Sequence, residues 1–237
     1  MSVLLLAVVL ASDLALLLVA EKQSYLCAVS ETPLPPTKAS FERVDESKTY
    51  TMSNTTMINV DFQSATQRCK EDKVPGVTGA SQWSRSKYRR VGEIRSGKNV
   101  PKTDFNVWNR ARGRATSRTT RKETILRQRL SNAVNGAQSH TMRRNRVRRK
   151  NGKAELCKSE ITKEFLIQLF LDQNGLCAYT KVPMNISGNF KFSVERKKVD
   201  VGYCCSNVCL VCAEVNHANA KWSPDKADRY WGPIVCV

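Results

Sequence analysis

The chain repeats itself at long range. Ser12 to Ser30 aligns with Thr162 to Thr180 without a gap, at a constant offset of 150 residues. Cys27 and Ala28 then fall on Cys177 and Ala178. Farther on, Glu42, Arg43, Tyr50, Ser53 and Asn54 match Glu195, Arg196, Tyr203, Ser206 and Asn207 at an offset of 153. Trp83, Ser84 and Lys87 match Trp222, Ser223 and Lys226. Matched blocks in one order describe two copies of a small folding unit, each of which must close its own core. The expected division is 1–83, 84–153 and 154–237, with a different kind of segment in the middle.

The later copy is the more legible. Thr162 reads as an N-cap with Glu164 in the first turn. The helix it opens, about Thr162 to Gln173, carries Phe165, Leu166, Leu169 and Phe170 on one face and stops at Gly175. Leu176, Cys177, Ala178 and Tyr179 belong at a turn. Phe190, Phe192 and Val194 alternate with Lys191 and Ser193, the period of a half-buried strand, which ends on Glu195 and Arg196. A loop with Gly202 and Tyr203 follows. Val208, Val211, Cys212 and Val215 have helix-compatible spacing, so the run from Val208 to Asn216 is expected to be helical. Trp222, Tyr230 and Trp231 are expected to pack the C-terminal tail against this copy. In the first copy Ser12 is the matching N-cap, Pro33 to Pro36 makes a rigid turn, Phe41 to Arg43 ends a strand, and Asn54 to Gln63 is a short last element. Cys69 to Ser81 reads as loop, broken by Pro75, Gly76 and Gly79. The fold class is α+β.

The formal charge of +18 is concentrated. Between Ser84 and Lys153 there are 22 Lys and Arg against Glu93, Asp104 and Glu123, a net of +19, while the rest of the chain carries −1. A polyanion-binding segment between two near-neutral modules has this distribution. Glu123 to Val134 is expected to be a helix, with Ile125, Leu126, Leu130 and Val134 on one side. Candidate phosphate contacts are Arg143, Arg144, Arg146, Arg148, Arg149 and Lys150, together with Arg110, Arg112 and Arg114, since each neutralised phosphate releases counterions. The run at 143–150 would also serve as a nuclear localisation signal. Tyr88, Phe105 and Trp108 could stack on bases, but so few aromatics favour a minor core. His140 reads as a surface residue.

Met1 to Ala20 is strongly apolar, which admits a signal peptide or membrane anchor. It lacks a basic leader and Asp13 interrupts it. The repeat makes Ala11 to Ala20 a core helix instead, with no membrane partner. Nine cysteines, none between Cys69 and Cys157, suggest no regular disulfide framework. A reducing intracellular compartment is therefore expected, and a nucleus or a virion is compatible with the charge.

Gly175, Cys177, Ala178, Tyr179, Thr180, Pro183, Met184, Ser193, Glu195, Arg196, Gly202, Tyr203, Asn207, Leu210, Cys212, Asn216, Trp222 and Ser223 form an ordered pattern. It resembles the HNH endonucleases of the ββα-metal superfamily, in a subfamily common in large DNA viruses and algae. The resemblance covers about residues 123–226. It implies two small ββα-metal modules joined by a basic, partly helical segment, the first of them degenerate. It further implies nucleic acid, DNA foremost, as partner and Mg²⁺ or Mn²⁺ as cofactor if the protein is active. On the matched positions Glu195 and Asn216 would be metal ligands, Asn207 would take the loop position, and Arg196 stands where the family's general-base histidine would be. Glu42, Arg43 and Asn54 are the degenerate equivalents, with Gln63 at the Asn216 position.

The arginine departs from the family pattern. A guanidinium stays protonated and cannot accept a proton, although it clamps phosphate well. His217, next to Asn216, would point about 100° away on a helix. Many such modules hold zinc between Cys-x-x-Cys pairs. Here each pair has lost a cysteine, which leaves either a rearranged zinc cluster from Cys177, Cys204, Cys205, Cys209 and Cys212 or, preferably, buried free thiols. In that case Cys177 and Cys212 lie close together. Two functions stay open: metal-dependent hydrolysis of DNA phosphodiesters, and a catalytically inactive DNA-binding, packaging or structural protein. A signal-bearing or membrane-anchored protein is the lesser alternative.

Overall fold

The structure, a computed structural model, describes residues 14, 17–45, 47–63, 73–74, 77–78, 83–217 and 221–235. The protein is α+β: it combines helices with small two-stranded antiparallel pairs. Residues 17–22 (α1) are helical. Then come β1 (Ala39–Arg43), β2 (Thr55–Asn59), the short pair β3 (Lys73–Val74) and β4 (Val77–Thr78), α2 (Arg85–Arg95), α3 (Phe105–Arg112) and α4 (Arg121–Lys150). The chain continues with α5 (Lys163–Asp172), β5 (Phe192–Arg196), β6 (Val208–Cys212), α6 (Ala213–Asn216) and α7 (Pro224–Trp231). Ser12 and most of the opening apolar segment lie outside the described residues. Among the described residues no helix is long and apolar enough to cross a membrane.

The matched segments share a strand register and several hydrogen bonds. β1 pairs β2 from Ala39↔Asn59 to Arg43↔Thr55, and β5 pairs β6 from Phe192↔Cys212 to Arg196↔Val208, the same register shifted by 153. Ahead of each pair a glutamine ties helix to strand. Gln23 Nε2 donates to Leu26 O and Met57 O, both at 3.0 Å, and its Oε1 accepts Met57 N–H at 2.7 Å. Gln173 Nε2 donates to Leu176 O and Leu210 O, both at 2.9 Å, and its Oε1 accepts Leu210 N–H at 2.8 Å. Bridges Leu26↔Pro33 and Leu176↔Pro183 close the two turns. Ser84 and Ser223 cap α2 and α7 in one way, each hydroxyl accepting the N–H of the lysine three residues on, at 3.2 Å.

One expected helix is mostly strand. Val208 to Cys212 is strand, and only Ala213 to Asn216 is helix, because all five residues of β6 are buried. A continuous apolar run satisfies either period, so spacing alone does not separate them. Asn54 to Gln63, the expected short last element, consists of β2 and a 3-10 turn at Val60–Phe62. Within the expected loop at 69–81, β3 and β4 form a two-residue antiparallel pair.

Two compact units result, Met1–Glu93 with His217–Trp222, and Ile94–Asn216 with Ser223–Val237. In the first, Trp222 stacks on Trp83 with centroids 5.6 Å apart, Phe62 lies edge-on to Trp83 and tilted against Trp222, and Trp222 Nε1 donates to Asp61 O at 3.0 Å. Trp222 thus completes the first unit's core, whereas the spacing had placed it against the second copy. Such rings remove 150–250 Å² each from water, roughly 4–6 kcal/mol apiece. In the second unit Trp108 stacks on Phe170 at 3.6 Å and 7°, with Phe192 edge-on at 5.1 Å. Trp108 therefore works in a core. The segment it belongs to is no free linker, since α3 and α4 pack on each other and on α5.

Gly175 ends α5 with φ +69° and its N–H on Phe170 O at 2.8 Å. A Cβ here would stand 2.8 Å from Thr103 Cγ2 and 3.0 Å from Phe170 Cζ. The matching Tyr25 takes φ 57° with an exposed side chain, so the conformation alone is tolerated and the crowding decides. Gly175→Ala should destabilise the protein by about 2–3 kcal/mol, from left-handed backbone cost plus overpacking; urea unfolding measures it.

Candidate functional site

Strand alternation puts Ser193 and Glu195 of β5, with Val211 and Cys209 of β6, on one face of the pair. The short helix α6 returns Asn216 to that face, where Nδ2 donates to Ser193 Oγ at 2.7 Å and to Val194 O at 3.0 Å. Gln63 of the first copy repeats the contact, with Nε2 on Phe41 O at 3.3 Å and Oε1 accepting from the Ser40 hydroxyl. Glu195 is half-buried beside Cys209. Tyr179 belongs to the same group. Burial first, then the charges of Cys209 and Glu195, push its hydroxyl well above the usual tyrosine range. Burial likewise pushes the Cys209 thiol up to about 11, against a hydrogen bond from Tyr179. Sequence reasoning missed Tyr179 as a neighbour of Glu195; the motif contained it, but nothing local ties it to a strand 16 positions later.

Asn207 does a different job. Its Oδ1 accepts Lys198 N–H at 2.9 Å, and its Nδ2 donates to Lys198 O at 2.8 Å and Gly202 O at 2.7 Å. The amide is spent closing the loop between β5 and β6 rather than meeting Glu195 and Asn216. Asn54 makes the same three bonds, to Asp45 N, Asp45 O and Thr49 O, at 2.7, 2.9 and 2.9 Å. Arg196 is 8% exposed; its Nη1 donates to Val199 O at 2.8 Å and its guanidinium lies 5.1 Å from the Tyr203 ring centroid. It clasps the loop that Asn207 closes. Arg43 does likewise, with Nη1 on Lys48 O at 3.2 Å and Tyr50 at 5.4 Å, while Glu42 accepts Arg43 N–H at 3.3 Å. His217 follows α6 and is half-buried.

Glu195 and Asn216 offer a carboxylate and a carboxamide oxygen, hard donors of the kind Mg²⁺ or Mn²⁺ accepts alongside water and phosphate oxygens. Asn216 holds the strand through its Nδ2. The donor chemistry of these two residues suits such an ion. The thiols do not fit zinc, because they separate into groups. Cys177 and Cys212 adjoin on the opposite face from Cys209, Cys204 meets Cys157, and Cys205 is exposed near Glu160. Among the described residues no three His, Cys, Asp or Glu side chains gather to hold a metal ion.

Cys177 is fully buried and its Sγ accepts the N–H groups of Cys212 at 3.2 Å and Thr180 at 3.5 Å. Cys27 repeats this with Asn59 at 3.2 Å and Ser30 at 3.5 Å. Burial pushes the Cys177 thiol up, but hydrogen bonds from Cys212 and Thr180 outweigh it and lower its pKa to about 6, while Cys212 keeps its proton. A depressed pKa stabilises the folded state most above the unfolded value near 9.0, and the gain is lost as pH falls through 6. The urea midpoint should therefore climb from pH 6 to 9 in the native chain and stay flatter in Cys177→Ser.

The C-terminal part of the basic segment forms one continuous helix, α4, from Arg121 to Lys150, longer than the expected 123–134. Thr120 and Glu123 make a full capping box. The buried stripe runs Leu126, Leu130, Ala137, Thr141, and small residues carry it past the last large aliphatic. At about 1.5 Å per residue the helix is about 45 Å long, and it carries ten basic residues against Glu123. Arg143, Arg146, Arg149 and Lys150 are exposed. Arg149 also pairs with Glu155 at 2.7 Å, and Arg148 with Asp200 at 3.5 Å. Arg144 is half-buried beside Arg196, and exposed His140 has its pKa lowered by partial burial, then by Arg143 and Arg144. Of the other candidates, Arg110 pairs with Glu123, Arg112 Nη2 donates to Gln168 Oε1 at 2.5 Å, and Arg114 is exposed.

No family model, curated protein or solved structure matches this chain.

Proposed function

We propose that the protein binds nucleic acid, DNA foremost, through the C-terminal half of α4, and that its two matched segments are HNH-like modules related by duplication. The observation that carries this reading is the exposed row of Arg143, Arg146, Arg149 and Lys150 on a helix whose other end is anchored by buried Leu126 and Leu130. A rigid helix presents charge in register, which a solvated linker does not, and a helix of this width enters a major groove. The binding role is favoured over catalysis because Arg196 and Asn207 are committed to the loop. A packaging or structural role follows without further chemistry.

Phosphodiester hydrolysis is the second reading, and the shared face of Glu195 and Asn216 favours it. These residues would hold a divalent ion, which when bound supplies charge neutralisation and leaving-group stabilisation. Tyr179 and Glu195 would be the nearest groups able to position a proton.

Incubation with supercoiled plasmid and Mg²⁺ or Mn²⁺ separates the two. Retardation that falls steeply with salt, without nicking, is the expected result. Nicking that disappears in Glu195→Ala would move the protein to the enzyme reading, and no retardation at 50 mM salt would remove both.

A further inference from the structure

Where the chain leaves α4 it turns back along the helix and delivers Cys157 to the loop between β5 and β6. Asn145 fixes the return: its Oδ1 accepts Leu156 N–H at 2.7 Å and its Nδ2 donates to Leu156 O at 3.1 Å. Farther on, Glu160 N–H donates to Tyr203 O at 3.1 Å. Between these anchors Cys157 Sγ lies 3.0 Å from Cys204 Sγ and donates to Val201 O at 2.8 Å. Gly202 makes the approach feasible. Its φ is +89°, and a Cβ there would stand 3.0 Å from both Cys157 O and Cys157 Sγ.

Both thiols are half-buried, whereas Cys177 and Cys212 are sealed in the core. The first copy holds Thr51 at the position of Cys204, within a loop closed by the same asparagine bonds. Folding of the loop therefore does not demand a thiol. The sulfur pair is an addition to the shared plan, and it sits where the loop meets the segment leaving the basic helix.

We propose that Cys157 and Cys204 form a reversible disulfide that ties the 197–207 loop to the segment following α4. The sulfurs must close by about 1 Å to reach bonding distance. The oxidant is a low-molecular-weight disulfide. The Cys204 thiolate attacks one of its sulfurs, forming a mixed disulfide and expelling one thiolate. Cys157 then gives up its proton and attacks Cys204 Sγ, expelling the second thiol. Two protein thiols lose two electrons and two protons, and the oxidant is reduced to two thiols. Cys157 Sγ is the donor toward Cys204 Sγ, which leaves Cys204 as the first nucleophile, and burial, then the neighbouring Cys204, raises the Cys157 thiol. The tie does not depend on nucleic-acid binding.

The test treats the full chain with oxidised glutathione under native conditions, blocks free thiols in acid, and maps peptides without reduction. The expected product links Cys157 to Cys204, and the Glu160 and Lys198 amides then exchange more slowly by on the order of tenfold. Cys205→Ser should behave like the native chain. Cys157→Ser should stop at glutathione on Cys204, with no slowing. Both cysteines recovered free, Cys204 joined to Cys205 instead, or equal slowing in Cys157→Ser would overturn the proposal.

Discussion

Replacing Arg143, Arg146 and Lys150 together by glutamine is expected to weaken binding to a DNA duplex by about 100- to 500-fold at 0.1 M salt, and to flatten the salt dependence of log K by about 2.7. The estimate follows from three phosphates lost at about 0.9 each. These positions are exposed, whereas Arg148 and Arg149 are tied to Asp200 and Glu155 and Arg144 is half-buried beside Arg196. Glutamine keeps helix propensity, so the unfolding midpoint should hold. Deleting 143–150 would be a poorer test, because Asn145 also anchors the returning chain through Leu156. Titration of a labelled duplex at several salt concentrations checks the expectation. An unchanged affinity with an unchanged slope would remove α4 as the interface.

The largest stability effect is expected at Arg95. This arginine is 2% exposed at the end of α2. Nη1 donates to Thr180 O at 3.1 Å, Nη2 donates to Gly232 O at 2.6 Å and pairs with Asp228, and its own carbonyl accepts Val235 N–H at 3.1 Å. It therefore joins the Cys177 turn, the end of α7 and the C-terminal tail. Arg95→Leu fills part of the space but strands the buried Thr180 carbonyl and the half-buried Gly232 carbonyl, and should cost about 2–4 kcal/mol, a large share of a domain's total of about 5–15 kcal/mol. Asp228 is half-exposed, so Asp228→Asn should cost about 1 kcal/mol or less. Urea unfolding of the three proteins decides it. A loss under about 1 kcal/mol for Arg95→Leu would show that the carbonyls find other donors.

Much of the site was readable one residue at a time. Thr162 as cap, Gly175 as stop, and Glu195 and Arg196 at a strand end depend on local backbone preferences, and those transfer from sequence to structure. The roles of Arg196 and Asn207 were not readable. Whether a guanidinium meets phosphate or a loop carbonyl depends on where the loop folds, and here Val199 and Tyr203 reach it first. The cysteines show the same limit: spacing offered a cluster, but β6 sends Cys209 and Cys212 to opposite faces.

The amino-acid sequence by itself determined the α+β class, the concentration of positive charge and the matched blocks that share one strand register, because periodicity, caps and composition are local or additive quantities. Tertiary structure alone decided that Val208 to Cys212 is strand, that α4 runs unbroken to Lys150, that Trp222 completes the first unit's core, and that Cys157 meets Cys204. Each of these is settled by a partner distant in the chain, and apolar burial, being non-directional, does not announce its partner in advance.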